Sequence, residues 1–228
     1  LAYYNYWQRL IADEARPQFF NKETIGHIKD HKPMDSFRSV FGTSLPAPQT
    51  FDEMVNASLY FEAKTFLHGL LVVEDKLSMA HGLETRVPFL DNDLVDFAMK
   101  VPARYKLRDL AHAPYVNEDE PGGRLRYASR PTSDGKVVLR MAMTKLIPQE
   151  VTNRAKQGFS APDASWFRGE SINYINTLLW DPGARIYEYI QPLYVEGILD
   201  QHTSGKINHR LLIWSLLSFE WWLRVFVK

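Results

Sequence analysis

Cysteine is absent from the sequence. Its absence excludes disulfide bonds, thiolate zinc sites and a cysteine nucleophile within this chain, and it fits a reducing compartment such as the cytoplasm. The sequence also lacks an apolar run of the roughly 18 residues that a membrane helix needs, and no signal peptide is visible. We therefore expect a cytoplasmic protein with no membrane partner.

An excess of either charge is absent too, because 27 lysines and arginines balance 27 aspartates and glutamates. A general nucleic-acid binder needs a basic face to neutralise phosphates, so nucleic acid is not an expected partner, although a local basic site remains allowed. The chain has 228 residues, of which 45% are hydrophobic. This composition predicts a globular protein with either one large domain or two small ones.

Local signals predict where helices begin and end in the first half of the chain. Thr50 to Glu53 has the Thr-x-x-Glu pattern of a capping box, so a helix should follow it. We expect an interruption at His68-Gly69 and a second helix from Leu71 to Ala80. That helix should end near Gly82, because glycine is favoured just past a helix C-terminus. An earlier amphipathic helix is predicted over residues 1–12.

Three later helices are predicted from capping residues and apolar spacing. Asp91 is a suitable N-cap for a helix through Lys100, and another helix begins at Lys136. The side chains expected to face inward in the first are Leu94, Val95 and Ala98, and one face of the second is expected to carry Val138, Met141, Ala142 and Leu146. The last helix, over residues 208–226, is apolar nearly all round and should be buried, here or against a missing neighbour.

Opposite charges stand close together in the stretch from Leu70 to Asp91. Pro88 favours an extended conformation before it, so Glu84 and Arg86 should point the same way. Charges beside an apolar run form either a buried structural pair or part of a polar site. Glu84 is a possible general base, but the structural pair is the commoner meaning of this pattern. Asp75 with Lys76 is interpreted as a pair on a helix surface.

A basic loop from Arg154 to Phe159 is the best candidate for chemistry. Lys156 followed by Gly158 can place one ammonium against a phosphate, a pyrophosphate or a developing oxyanion while the backbone comes close. A surface lysine in a turn is the more common meaning of such a pattern. His27 and His31 have the spacing of metal ligands on a helix, but no third ligand is evident, so no metal site is predicted.

Residues 107–134 have the composition of a loop, with an acidic run and several glycines and prolines. A mobile lid and a solvated, flexible surface insertion are both possible, and the composition favours the insertion.

Several stretches, in this order, resemble the asparagine synthase family. They are Asp75 to Asp91, Lys136 to Arg140, and Arg154 to Pro162 followed by Trp166 to Gly169. Their order and spacing agree with the family across residues 1–170. One departure is Lys76, which stands where arginine is common and loses the bidentate fork of a guanidinium.

The resemblance implies an activity. Members of the family bind ATP and activate a carboxylate, aspartate in the name-giving case, as an acyl-adenylate. Ammonia, released from glutamine by a separate N-terminal domain, then attacks to give the amide, AMP and pyrophosphate. Lys156 is implied to hold the phosphates and steady the charge of the intermediate. The residues implied to line or support the site are Glu84, Arg86, Asp75, Gly158 and Lys136. The implied cofactors are ATP and Mg²⁺.

The family's Ser-Gly-Gly-x-Asp-Ser loop and its Gly-Glu-Gly-x-Asp-Glu motif do not occur in the sequence. Leu1 to Tyr4 resembles the residues that follow the second motif. The resemblance thus implies that residues 1–228 are the mainly α C-terminal portion of an adenine-nucleotide α-hydrolase-like (PP-loop) synthetase domain. The parallel sheet, the glutaminase domain and most ligands for ATP and Mg²⁺ should lie upstream, so the chain alone should not turn over.

Two rival interpretations remain open. A relative within the family amidates another carboxylate, such as a sugar acid, or closes a lactam ring. A helical assembly module that kept the fold and lost the chemistry is the alternative from another class. Self-association is expected in either case, because Tyr3, Tyr4, Trp7 and the final helix would leave apolar surface bare without the upstream half.

Overall fold

The computed structural model describes residues 2–8, 10–42, 47–108, 135–154, 167, 169 and 171–227. The described residues fall into two compact units. The terminal unit comprises those within Leu1–Pro33 and Gln157–Lys228, and the middle unit those within Met34–Pro114 and Pro131–Lys156. Over these ranges the chain is mainly helical, which confirms the expected fold class, and its only β pairing is two isolated bridges, Phe20 with Ile190 and Leu107 with Gly135.

The terminal unit packs short N-terminal helices and longer C-terminal helices around one apolar core. Its helices are α1 (Ala2–Trp7), α2 (Arg16–Phe19), α3 (Lys22–Ile28), α11 (Ile172–Leu179), α12 (Pro192–Thr203) and α13 (Arg210–Phe226). Helix α1 stops at Trp7, so the predicted helix over residues 1–12 is too long. The chain turns after it because the Gln8 side chain accepts a hydrogen bond from the Asp13 amide at 2.7 Å.

The core of the terminal unit follows from apolar residues at helical spacing. Ile175 and Leu179 of α11, Leu199 of α12, and Ile213 and Leu223 of α13 are all almost completely buried. Phe19 joins this core from the N-terminal segment. The backbone amides of Asn21 and Gln191 fix that segment by donating to Tyr189 and Phe19 at 2.9 and 2.8 Å.

Helix α13 is buried on one face only. Leu212, Leu216 and Leu223 lie in the core, whereas Trp214, Trp222 and Phe226 are exposed. The terminal unit as described thus buries one face of this apolar helix, and its burial against a missing neighbour stays a prediction. The buried face contains one charge, Glu220, whose side chain is 0% exposed. Its Oε1 accepts from Arg224 Nε at 2.5 Å and its Oε2 from the Ile186 amide at 2.8 Å.

The middle unit, where the structure describes it, consists mainly of helices. They are α4 (Pro33–Ser39), α5 (Phe51–Glu62), α6 (His68–Ala80), α7 (Asn92–Lys100), α8 (Ala103–Lys106), α9 (Val137–Met143) and α10 (Gln149–Thr152). The predicted capping box at the start of α5 is confirmed. The Thr50 hydroxyl accepts from the Glu53 amide at 3.2 Å, and the Glu53 carboxylate accepts from the Thr50 amide at 3.1 Å.

A π-helical turn, Ala63–Leu67, joins α5 to α6. The irregularity therefore precedes His68-Gly69, where the sequence predicted it. The Thr65 hydroxyl donates to the Phe61 carbonyl at 2.7 Å, and such side-chain bonds favour a local distortion of the helix. Gly69 instead continues α6, since a helix interior tolerates glycine at a cost of about 1 kcal/mol.

The predicted end of α6 and start of α7 are confirmed. Gly82 adopts φ of 67°, and the Leu83 amide donates back to the Ser78 carbonyl at 2.9 Å, which closes the helix end. Asp91 caps α7 by accepting from the Leu94 amide at 3.1 Å. The inward face predicted for α7 is wrong, because Leu94 and Ala98 are exposed and Val95 is only half-buried. Helix α7 packs on the adjacent turn Pro88–Leu90, which leaves most of its surface uncovered.

The apolar side chains predicted to share one face of α9 are exposed. Met141 is 63% exposed, and Val138, Ala142 and Leu146 are exposed as well. Instead, Val137 is buried and Arg140 is half-buried. This orientation follows from polar contacts, because Arg140 hydrogen-bonds to backbone carbonyls on both sides of the helix.

Candidate functional site

Glu84 and Arg86 form an ion pair on the extended segment after α6. Arg86 NH2 lies 2.8 Å from Glu84 Oε1, and the two side chains are 81% and 72% exposed for Arg86 and Glu84 respectively. The alternation before Pro88 thus brings the two charges together as expected, but a buried structural pair is ruled out. The pair is exposed because the apolar residues beside it, Val87 and Phe89, are themselves exposed.

Asp75 lies on α6 and pairs with Lys76, with 3.8 Å between Asp75 Oδ2 and Lys76 Nζ. Both side chains are exposed, which confirms the interpretation of a helix-surface pair. Such pairs contribute on the order of 0–1 kcal/mol to stability. The charges of Asp75, Glu84 and Arg86 therefore remain accessible to a ligand or to another part of a larger protein.

Lys136 occupies the position just before α9 and adopts φ of 61°. A left-handed conformation is unusual for a lysine, and residues held in such conformations cluster at functional sites. The lysine side chain is exposed. Its neighbour Gly135 pairs with Leu107 in an antiparallel bridge, so the turn before α9 is held against the end of α8.

Arg140 holds the turn before α9 and the segment after α10 together. Its Nε donates to the Gly135 carbonyl at 3.0 Å, and its NH1 donates to the carbonyls of Arg154, at 3.0 Å, and of Thr152. Lys136 follows the first of these carbonyls by one residue, and Lys156 follows Arg154 by two. The guanidinium of Arg140 therefore binds backbone carbonyls that are close in the sequence to two of the predicted site residues.

A further cation, Lys106, directly precedes Leu107, which forms the bridge with Gly135. Its Nζ donates to Asn56 Oδ1 at 2.8 Å, and burial lowers the pKa of the ammonium, partly opposed by the charge of Asp52. Lys106 and Lys136 thus each stand next to a residue of this bridge, and an ammonium can pair with an anionic ligand such as a phosphate.

Two predicted site residues, Lys156 and Gly158, lie outside the described residues. The sequence reasoning missed the roles of Arg140 and Lys106. A signal for Arg140 was present, since an arginine inside the otherwise apolar run Val137–Met143 needs a partner for its charge. The partners themselves are backbone carbonyls, which no side-chain pattern reveals.

Nothing in the described residues offers a metal site. No group of three or more histidine, aspartate or glutamate side chains that could hold a metal occurs among them. His27 and His31, which have the spacing of metal ligands, are both exposed. The residues present therefore do not fit a Mg²⁺ site. Of the helices described, none is long and apolar enough to cross a membrane.

Comparison with known proteins identifies the family. The model of the asparagine synthase family matches residues 3–224. The chain belongs to the asparagine synthase family. It is 28% identical over 196 residues to asparagine synthetase [glutamine-hydrolyzing] 1 of Bacillus subtilis, which covers 86% of this chain and 27% of the relative.

Two other curated proteins are also similar to this chain. A putative asparagine synthetase of Mycobacterium bovis is 31% identical over 166 residues, covering 72% of this chain and 22% of the relative. A protein of Gibberella zeae named amidase chry2 is 27% identical over 164 residues, covering 64% and 22%. The chain thus spans about a quarter of the length of the curated relatives it matches. No solved structure matches the chain.

Proposed function

We propose that this chain is the C-terminal helical part of an ATP-dependent amidotransferase that converts aspartate to asparagine. The carboxylate attacks the α-phosphorus of ATP, which releases pyrophosphate and leaves an acyl-adenylate. Ammonia derived from glutamine then attacks the acyl carbon, and AMP departs with the bonding electrons as the amide forms. The observation that carries this proposal is the family match over residues 3–224, which spans the stretches between Asp75 and Gly169 that resemble the family.

Lys156 is the residue we assign to the phosphates. An ammonium on a flexible stem follows the charge as the bond to pyrophosphate breaks, and it neutralises that charge better in the transition state than in the ground state. The exposed ammonium of Lys136, just before α9 in the middle unit, supports an anionic ligand there. Gly158 lets the backbone near Lys156 approach the phosphates closely.

Glu84, Arg86, Asp75 and Lys136 line or support the site. The exposed ion pair between Glu84 and Arg86 contributes little to stability, because water screens it. This supports a role in contacting a ligand or another part of the full-length protein. We expect neither residue to be the general base.

The remaining parts of the active enzyme belong to the longer protein. ATP and Mg²⁺ are the proposed cofactors, and the described residues offer no group that fits the metal. The proposed partners are the upstream half of the same protein, the small-molecule substrates and a second copy of the chain. We assign the protein to the cytoplasm, and we expect this chain alone to be inactive.

The test uses the full-length protein that contains this chain, supplied with aspartate, ATP, Mg²⁺ and either glutamine or ammonia. We expect asparagine, AMP and pyrophosphate in equal amounts. Lys156→Ala should abolish amide formation while the protein stays folded, whereas Lys145→Ala, which removes an exposed lysine of the same unit, should leave the rate unchanged. Amide formation by the isolated chain would contradict the proposal that it is only a part.

A different acceptor is the second candidate, and the relative named amidase chry2 favours testing it. Pyrophosphate release can be measured against a panel of sugar acids and of substrates able to close a lactam. Release with one of these and not with aspartate would replace asparagine as the product. If no carboxylate releases pyrophosphate and Lys156→Ala changes no function, the chain is a helical assembly module.

A further inference from the structure

We propose that Arg140 is a positioning residue for Lys136, which it holds in a left-handed conformation from both sides. The inference rests on the proposed function for the role of Lys136 in the site, whereas its structural part is independent of that function. Lys136 has φ of 61° and ψ of 34°. A residue with a side chain keeps this backbone geometry only where neighbouring contacts maintain it.

Arg140 binds the carbonyls on both sides of the Lys136 Cα. Its side-chain Nε donates to the Gly135 carbonyl at 3.0 Å, and its backbone amide donates to the Lys136 carbonyl at 2.9 Å. The first carbonyl belongs to the rigid peptide plane before this Cα and the second to the plane after it. Because φ and ψ are the rotations of these two planes about the Cα, contacts that fix both planes fix the conformation of Lys136.

The guanidinium of Arg140 is itself anchored at its other end. Its NH1 donates to the carbonyl of Thr152 and, at 3.0 Å, to that of Arg154. Thr152 is buried, and its hydroxyl donates to the Gln149 carbonyl at 3.1 Å, so the anchor belongs to the ordered end of α10. The planar group keeps Nε and NH1 in a fixed arrangement, which the single nitrogen of a lysine cannot reproduce.

The conformation of Lys136 determines where its side chain begins, because φ and ψ set the direction of the Cα–Cβ bond. The side chain is exposed, so packing contributes little to its direction and the backbone decides it. Without the Arg140 side chain, the turn can relax toward the commoner backbone conformations, and the ammonium then starts from a different direction. Misplacing a group that serves a reaction by about 1 Å costs about 10²-fold in rate.

In the full-length protein, Arg140→Gln should therefore reproduce the kinetic effect of Lys136→Ala. We expect each variant to lower kcat/KM for ATP by about 10²-fold, and to divide the loss between kcat and KM in the same proportion. Arg140→Lys should recover only part of the loss. The control is Arg38→Gln, because Arg38 is exposed, lies in the same unit and pairs only loosely with Asp35 at 3.9 Å. It should retain wild-type kinetics, and so would Arg140→Gln if the proposal is wrong.

A double variant separates positioning from an independent role. If Arg140 acts through Lys136, adding Arg140→Gln to Lys136→Ala should lower kcat/KM by less than about 2-fold. A further drop as large as that caused by Arg140→Gln alone would overturn the proposal, because Arg140 would then serve the reaction by another route.

Glycine substitution tests whether Lys136 is held in the left-handed region. Glycine adopts a φ near 60° without steric cost, so Lys136→Gly should leave the melting temperature unchanged or raise it. The matched control is Met141→Gly, at an exposed residue in the interior of α9, where glycine should lower the melting temperature. An equal decrease in both variants would contradict the proposed conformation.

A protease that cuts only after lysine gives a readout that needs no activity. Cleavage after Lys136 should be several-fold faster in Arg140→Gln than in the wild type, relative to cleavage after the exposed Lys64, because the turn is loosened. Unchanged relative cleavage would refute the proposal. If the wild type forms no amide, the proposed function fails and the cleavage result alone decides whether Arg140 holds Lys136. If Arg140→Gln does not fold, Arg140→Lys replaces it in both measurements.

Discussion

The terminal unit and the middle unit differ in what holds them together. In the terminal unit, aliphatic side chains from α11, α12 and α13 form a buried core around Ile213. In the described part of the middle unit, few apolar side chains are buried, and long apolar stretches of α6 and α7 face outward. Helix caps and the Arg140 contacts supply its order instead.

Because of this difference, the two units should respond to substitutions in different ways. A packed core tolerates few substitutions and senses them through stability. A unit ordered by caps and hydrogen bonds to backbone senses them through the placement of particular segments. The exposed apolar side chains of α6 and α7 support the proposed contact of the middle unit with the upstream half of the protein.

The largest expected effect concerns Glu220, a buried charge of the terminal unit. Arg224→Ala leaves the Glu220 carboxylate buried without its ion-pair partner, so we expect a loss of about 3–5 kcal/mol in the free energy of unfolding. The measurement is urea unfolding followed by tryptophan fluorescence. Adding Glu220→Gln should restore part of the loss, and Arg38→Ala, which breaks an exposed pair, should cost less than about 1 kcal/mol. Equal losses in the free energy of unfolding for Arg224→Ala and Arg38→Ala would contradict the expectation that the buried charge of the terminal unit matters more than the exposed pair of the middle unit.

The second prediction compares apolar truncations in the two units. Ile213→Ala opens a cavity in the terminal core and should cost about 2–5 kcal/mol. Leu77→Ala in the middle unit removes a side chain that is 60% exposed and should change the stability of this chain by no more than about 0.5 kcal/mol. Both values come from the same urea titrations. A cost for Leu77→Ala as large as that for Ile213→Ala would show that α6 is covered in solution.

The smallest expected effect is a pH dependence of the terminal unit. Burial, and secondarily the neighbouring His202, lower the pKa of His209 below its usual 6.5. The unfolded chain therefore binds a proton more readily than the folded one below about pH 6.5, and stability falls as the pH drops from that value through the lowered pKa.

Thermal unfolding between pH 7.5 and 5 measures this dependence, with His209→Gln as the variant and the exposed His27→Gln as the control. The fall in melting temperature should be smaller in His209→Gln than in the control. An equal fall in both proteins would assign the pH dependence to other groups.

Local structure was predictable where a short pattern decides it. Thr50 with Glu53, Gly82 and Asp91 each fix a helix end through backbone geometry that neighbouring residues determine. The inward face of α7 and the exposure of the apolar face of α9 were not predictable, because an apolar stripe tells which face is apolar and not whether another element covers it. Met141 belongs to such a stripe and is exposed.

The candidate site was predictable in part. The alternation before Pro88 predicted that Glu84 and Arg86 meet, but their exposure depends on packing that the sequence pattern does not contain. The role of Arg140 depends on three backbone carbonyls, two of them more than ten residues away, so no local pattern announces it. The role of Lys156 rests on the family resemblance and stays a prediction.

The π-helical turn Ala63–Leu67 also constrains how this sequence can change length. A π turn holds one residue more than the α-helical turn it replaces, and each residue of an α-helix advances the side chains by about 100°. Deleting one residue between Ala63 and Leu67 would restore a continuous helix at little local cost. Because the π turn already contains the extra residue, Asp75 would keep about the same direction relative to α5 after the deletion. We therefore expect that shortening this turn by one residue changes the backbone near Thr65 and leaves the direction in which the chain leaves α6 nearly unchanged.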